Sequence, residues 1–107
     1  MFINIYNILI RFLYPLAIRP YINKRKEHGK EDVKRFNERI GKPKLPRPEG
    51  RLFWLHGASV GESLSMLPLI DKLLQTYPEA HVMVTTGTTT SAELMGKRLP
   101  ERAFHQY

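Results

Sequence analysis

At 107 residues with 42% apolar side chains, the chain has room for one domain with its own core, and its composition excludes wholesale disorder. It has no cysteine, which excludes a disulfide framework and a thiolate metal site and fits a reducing compartment. The net charge of +7 lies wholly in residues 1–50, where twelve Lys/Arg face five Asp/Glu; residues 51–107 carry five of each. A basic half joined to a neutral half suggests a surface-binding arm attached to a folded unit.

In chain order, residues 1–23 come first as an apolar segment close to membrane-spanning length, which is about 20 residues. Asn4, Asn7, Arg11, Arg19, Pro15 and Pro20 interrupt it. Asn4, Asn7 and Arg11 are spaced by three and then four, so on a helix they form one narrow polar stripe. Such a helix can lie in the headgroup boundary with Arg11 reaching back to water, and this predicts a membrane-associated helix that anchors without a clean span. A secretory signal would carry its charges before the apolar run, not within it. A buried core helix would not be apolar around most of its circumference in so small a domain.

Residues 24–50 read as a basic helix and a proline-rich linker. Lys24, Arg25, Lys26, Lys30, Lys34 and Arg35 follow the apolar run and suit an anionic membrane surface on the cytoplasmic side. Interleaved Glu27, Glu31, Asp32 and Glu38 also allow a solvated helix face. No recognised nucleic-acid motif accompanies the bases, so no nucleic-acid partner is expected. Residues 30–40 predict a short helix stopped by Gly41, and Pro43, Pro46 and Pro48 an extended linker.

Residues 51–107 carry the pattern of an α/β unit. A strand is predicted over 51–56, a helix over 62–76 with a kink at Pro68, a strand over 81–86, a helix over 91–99 and a strand over 103–106. This is the start of a doubly wound sheet, and three strands would make only half of a usual one. In such sheets ligands sit beyond the carboxyl ends of the strands, where helix-start amides favour anions. The turn His56-Gly57-Ala58-Ser59-Val60-Gly61-Glu62 lies there, without the glycine spacing of a dinucleotide site. Ser59 and Glu62 match a capping box; a carboxylate at that mouth can equally serve as a general base, and the local pattern does not separate the two. Thr85-Thr86-Gly87-Thr88-Thr89-Thr90-Ser91 forms the second turn, whose hydroxyls can meet phosphate or sugar unless Thr90 or Ser91 simply caps the next helix. His56 and His105 each stand without a second ligand at metal-site spacing, so no metal is expected.

Several segments together resemble one family. FNERIGKP (36–43) is similar to an Arg-Glu-Arg-Leu-Gly stretch of Kdo (3-deoxy-D-manno-octulosonic acid) transferases, and WLHGASVGE (54–62) to their signature at the first strand and turn. LPLIDKLLQTYP, VTTGTTTSAE and the terminal HQY follow in the family's order; Thr88-Thr89-Thr90 stands where many bacterial members have Thr-Pro-Thr. The resemblance implies the N-terminal portion of a GT-B glycosyltransferase, a partial Rossmann-like acceptor-binding domain behind a membrane-associated helix. It further implies transfer of Kdo from CMP-Kdo to a lipid A precursor (lipid IVA) at the cytoplasmic face of the inner membrane, with no cofactor and no metal. By the same resemblance Glu62 is the catalytic base, and Ser59, Gly61, Thr86 and Gly87 lie at the substrate. The family's donor domain is not among these residues, so the chain alone is expected to be inactive. The rival expectation is a membrane-docking or acceptor-binding module without catalysis.

Overall fold

The apolar N-terminal segment is helical from Phe2 to Glu27 in the computed structural model, which describes residues 1–107. Helix α1 (Phe2–Leu13) passes through a π-helical turn (Tyr14–Ile18) into α2 (Arg19–Glu27). The widened turn has a cause in the sequence. Proline has no N–H and crowds the carbonyl four residues back; here Pro15 opens the turn, Pro20 follows it, and the Arg19 N–H bonds to the Tyr14 carbonyl five residues back. No residue of α1 is buried, and Phe2, Ile3, Ile8, Leu9 and Phe12 stand open to solvent. No helix is long and apolar enough to cross a membrane. Gly29 ends α2 at φ +69, with the Lys30 N–H on the Arg25 carbonyl and the Gly29 N–H on that of Lys26.

The chain forms two compact units, Met1–Val33 and Lys34–Tyr107. In the second, α3 is a single turn, Phe36–Arg39, and not the helix predicted over 30–40. Gly29 has already stopped the preceding helix, and Arg35 (φ −107, ψ 6) lies outside helical geometry. The few residues between cannot offset the cost of nucleating a second helix. Gly41, at φ +79, closes α3 as its position in the sequence predicts.

Strands β1 (Leu52–Gly57), β2 (His81–Thr86) and β3 (Ala103–Gln106) form a parallel sheet in the order β1-β2-β3. The helices α4 (Val60–Thr76) and α5 (Thr89–Arg98) connect them. Alternation along the strands gives one face to the core. Val82 and Val84 are fully buried with Ile70 and Leu74 of α4 and Met95 of α5, and Phe53 and Leu55 pack against them. Trp54, Met83 and Phe104 share a register row on the opposite face, where Trp54 is 69% exposed. Helix α4 runs through Pro68 to Thr76, with Pro68 on its exposed side. Arg102, at φ 69, ties the start of β3 to the end of α4 by donating to the carbonyls of Leu74, Tyr77, Pro78 and Ala80.

Two glycines of the first turn differ sharply in their surroundings. A Cβ on Gly57 would lie 2.8 Å from Ser63 Oγ, 2.9 Å from Met66 Cε and 3.2 Å from the Ser63 nitrogen, so glycine lets β1 close onto α4. A Cβ on Gly61 would meet nothing within 4 Å. Gly57→Ala is expected to cost about 1–3 kcal/mol by overpacking. Gly61→Ala, in the first turn of α4, is expected to be neutral or to stabilise by up to ~1 kcal/mol. Urea unfolding of the two variants checks the contrast; equal effects would sink it.

Candidate functional site

The carboxyl ends of the parallel strands gather the residues singled out in the sequence. After β1, Ser59 (φ −134, ψ 168) is the N-cap of α4, and its Oγ accepts from the Glu62 N–H at 3.2 Å. Glu62 reaches back as the capping reading requires, but its Oε2 accepts from the Ala58 N–H at 2.6 Å, one residue before the cap itself. The extended backbone at Ser59 leaves that amide directed at the first turn. Glu62 remains exposed, and no second bond engages its other carboxylate oxygen. Gly61 sits beside it with open space above its Cα.

Register pairs Gly57 with Thr86, so the second turn opens next to the first, and a Cβ on Gly87 would approach the Ala58 carbonyl at 3.5 Å. Thr86 is only 2% exposed. Its side chain therefore faces the protein, while Gly87 is half-buried. The cap of α5 is Thr88, not Thr90 or Ser91. Thr88 is extended (φ −125, ψ 155) and Thr89 is already helical, which leaves Ser91 as the partner that returns the bond to the Thr88 amide.

A third group closes the mouth, and local pattern gave no sign of it. Arg35 grips Glu38 with both arms, Nε to Oε2 at 2.7 Å and Nη2 to Oε1 at 2.8 Å. The same Nη2 lies 3.0 Å from His105 Nδ1 and 3.0 Å from the His105 carbonyl. A guanidinium only donates, so Nδ1 accepts, the imidazole proton sits on Nε2, and Nε2 donates to Thr86 Oγ1 at 2.7 Å. Burial, aided by the charge of Arg35 and opposed by Glu38, pushes the His105 imidazole down to about 4. The Arg35 bonds hold the Glu38 carboxyl below its usual range, against the opposing effect of its own burial. Arg39 Nη2 donates to the Gly87 carbonyl at 2.8 Å. The guanidiniums of Arg35 and Arg39 stand 4.8 and 4.7 Å from the ring centre of Tyr107.

One further network lies on the open sheet face. Thr85 Oγ1 accepts from Trp54 Nε1 at 2.9 Å and lies 2.8 Å from His56 Nδ1. A cavity of about 270 Å³ opens there between Arg39, Trp54, His56, Thr85, Gly87 and Tyr107. It is one concave feature at the strand ends, where doubly wound sheets take ligands. The signal that could have exposed the third group is the row assignment of His105. It shares a register row with Val84, and a histidine on the core face requires polar partners.

The chain is similar to known proteins of one family. The family model described as 3-deoxy-D-manno-octulosonic-acid transferase (kdotransferase) matches residues 34–107. The chain is 41% identical over 78 residues to a 3-deoxy-D-manno-octulosonic acid transferase of Rickettsia bellii, covering 73% of this chain and 19% of that protein. It is 32% identical over 104 residues to a probable mitochondrial 3-deoxy-D-manno-octulosonic acid transferase of Arabidopsis thaliana, covering 97% of this chain and 23% of that protein. With the corresponding transferase of Chlamydophila psittaci it shares 35% over 91 residues, 83% of this chain and 21% of that protein. No solved structure matches the chain. The chain thus spans about a fifth of the length of the curated relatives it matches. A parallel α/β sheet, the SVGE turn at its mouth and a match over residues 34–107 place the chain in the Kdo transferase family, as an N-terminal portion of that fold.

Proposed function

We propose that these residues form the acceptor side of a GT-B Kdo transferase, which moves Kdo from CMP-Kdo to a lipid A precursor such as lipid IVA. The observation that carries the reading is the position of Glu62. It is exposed at the mouth of the parallel sheet, inside the family's SVGE turn, and beside a glycine whose open face leaves room for a substrate. In this role Glu62 takes the proton of the acceptor hydroxyl as that oxygen attacks the anomeric carbon of Kdo and the bond to CMP breaks. The transition state carries oxocarbenium character, so a nearby carboxylate helps twice. Ser59 and Gly61 shape the approach to Glu62, and Thr86 and Gly87 form the second wall. Because the Thr86 side chain is buried, its part is played through the backbone it holds.

CMP-Kdo binds mainly to a second Rossmann-like domain across the cleft in this scheme, so these 107 residues alone are expected to be inactive. A purified donor-binding half of a Kdo transferase, mixed with this chain, CMP-Kdo and lipid A precursor, tests the scheme by radiolabelled transfer. Turnover that appears only in the mixture supports it; turnover by the chain alone, or none in the mixture, counts against it. One observation favours a second reading, a docking or acceptor-binding module without catalysis. The Glu62 carboxylate already has a structural use in its 2.6 Å bond to the Ala58 amide.

The N-terminal helices belong to the same proposal. The apolar residues of α1 are exposed, and α2 ends in Lys24, Arg25 and Lys26, which suits a helix lying on the cytoplasmic face of an anionic inner membrane. The chain is expected to co-sediment with phosphatidylglycerol vesicles more strongly than it binds nucleic acid. Replacing Lys24 and Lys30 by Gln should weaken that binding about thirtyfold, at ~1 kcal/mol per charge. Binding indifferent to both charge and salt would remove the electrostatic part of the proposal.

A further inference from the structure

We propose that α3 is a brace, and that Arg39 and His105 are positioning residues that hold the Thr86–Gly87 turn in the arrangement that transfer requires. This rests on the reading of the strand mouth as the acceptor side of a Kdo-transfer site. Two consecutive residues of the turn are gripped from distant parts of the chain. Arg39 Nη2 holds the Gly87 carbonyl at 2.8 Å, and His105 Nε2 holds Thr86 Oγ1 at 2.7 Å. Helix α5 does not need either grip, because its own Thr88–Ser91 box caps it.

The grips are themselves fastened. A helix of one turn has no stability of its own in water. Helix α3 stays on the strand ends through the burial of Phe36 and Glu38 and through the bonds of Arg35 to Glu38 and His105. Arg35 also sets the His105 tautomer, since an imidazole that accepts at Nδ1 must donate at Nε2. Tyr107 fills the space beside both guanidiniums. A planar guanidinium fixes direction as well as distance, so the turn is held at the Gly87 backbone carbonyl and, one residue earlier, at the Thr86 side-chain hydroxyl. Fixed backbone dipoles are what a site that stabilises developing charge needs, and a displacement near 1 Å can cost about a hundredfold in rate.

The test uses the 107-residue chain, alone and mixed with the donor-binding half. Arg39→Ala and His105→Ala are compared with Arg39→Lys and with His105→Gln, which keeps an N–H donor towards Thr86. Amide shifts of Thr86, Gly87 and Thr88 are read in isotope-labelled chain, and kcat and KM for the lipid acceptor in the mixture. Both alanine variants are expected to move those three amides and leave the β1 and α4 core in place. Transfer should fall about tenfold to a hundredfold in kcat, with KM changing less than about threefold. The Lys and Gln variants should recover part of both. Unmoved amides in the alanine variants overturn the brace, and so do moved amides with an unchanged kcat. Where an alanine variant fails to fold, its conservative counterpart decides: changes confined to 86–88 support the brace, and changes spread through the core overturn it. A mixture that never transfers defeats the acceptor-site reading, while the amide shifts still decide whether the brace exists.

Discussion

Glu62→Gln is expected to lower transfer in the reconstituted mixture by about 10²- to 10⁴-fold, the range that a positioned general base supplies. Fold stability should barely change. Glutamine keeps a carbonyl oxygen that can accept from the Ala58 N–H, and the cap from Ser59 Oγ to the Glu62 N–H uses only backbone at position 62. Glu62→Ala removes both the base and the reach-back bond, and should lose about 1 kcal/mol of stability in addition to the rate. Single-turnover transfer and urea unfolding of the two variants separate the roles. A Gln variant that transfers at the parental rate would return Glu62 to capping alone and favour the non-catalytic reading.

Acid is expected to loosen the second unit before it reaches the ordinary carboxylate range, and Arg35→Ala should show why. The His105 imidazole titrates near 4 in the fold against 6.5 ordinarily, chiefly because it is buried. Between those values the unfolded chain binds a proton that the folded chain refuses. The stability due to His105 is therefore complete above pH 6.5 and drains away as pH falls towards 4. Glu38 adds a second loss at lower pH, since its folded carboxyl lies below the ordinary 4.5 and must be protonated against its Arg35 bonds. Arg35→Ala leaves the Glu38 carboxylate buried without its guanidinium and should cost about 3 kcal/mol at neutral pH. The acid loss above pH 4.5 should shrink but survive in this variant, because burial outweighs the Arg35 charge as its cause. Urea unfolding from pH 7.5 to 4.5 measures both effects. His105→Gln should flatten the profile; a profile parallel to that of the parent chain would exclude His105 as its source.

Local chemistry made much of this protein legible in the sequence. The strand over 81–86, the helix over 62–76, the Ser59 cap and the Gly41 stop all rest on residues a few positions apart, and each appears in the structure. Where the reading missed, a neighbour tipped a close competition. Gly29 ended α2 and left too little chain for a helix over 30–40, and Thr88 took the cap of α5 from Thr90 and Ser91. The family was legible as well, because FNERIGKP, WLHGASVGE and the segments after them resemble Kdo transferases in the same order along the chain.

The closure of the site was not legible. Arg35 meets His105 seventy residues later, and Arg39 meets Gly87 forty-eight residues later. In the sequence, Arg35 and Arg39 are two bases in a charged stretch, and His105 is one polar residue in a short strand. The sequence by itself determined the two helices that connect the strands, the strands and the turn that carries Glu62, because hydrogen bonding and apolar periodicity within a few residues decide those. Only the tertiary structure decided which charges would be buried together. The parallel register brings Gly57 and Thr86 side by side and puts His105 on the core face. A buried imidazole and carboxylate then need a guanidinium, and the packing of α3 against the strand ends supplies it.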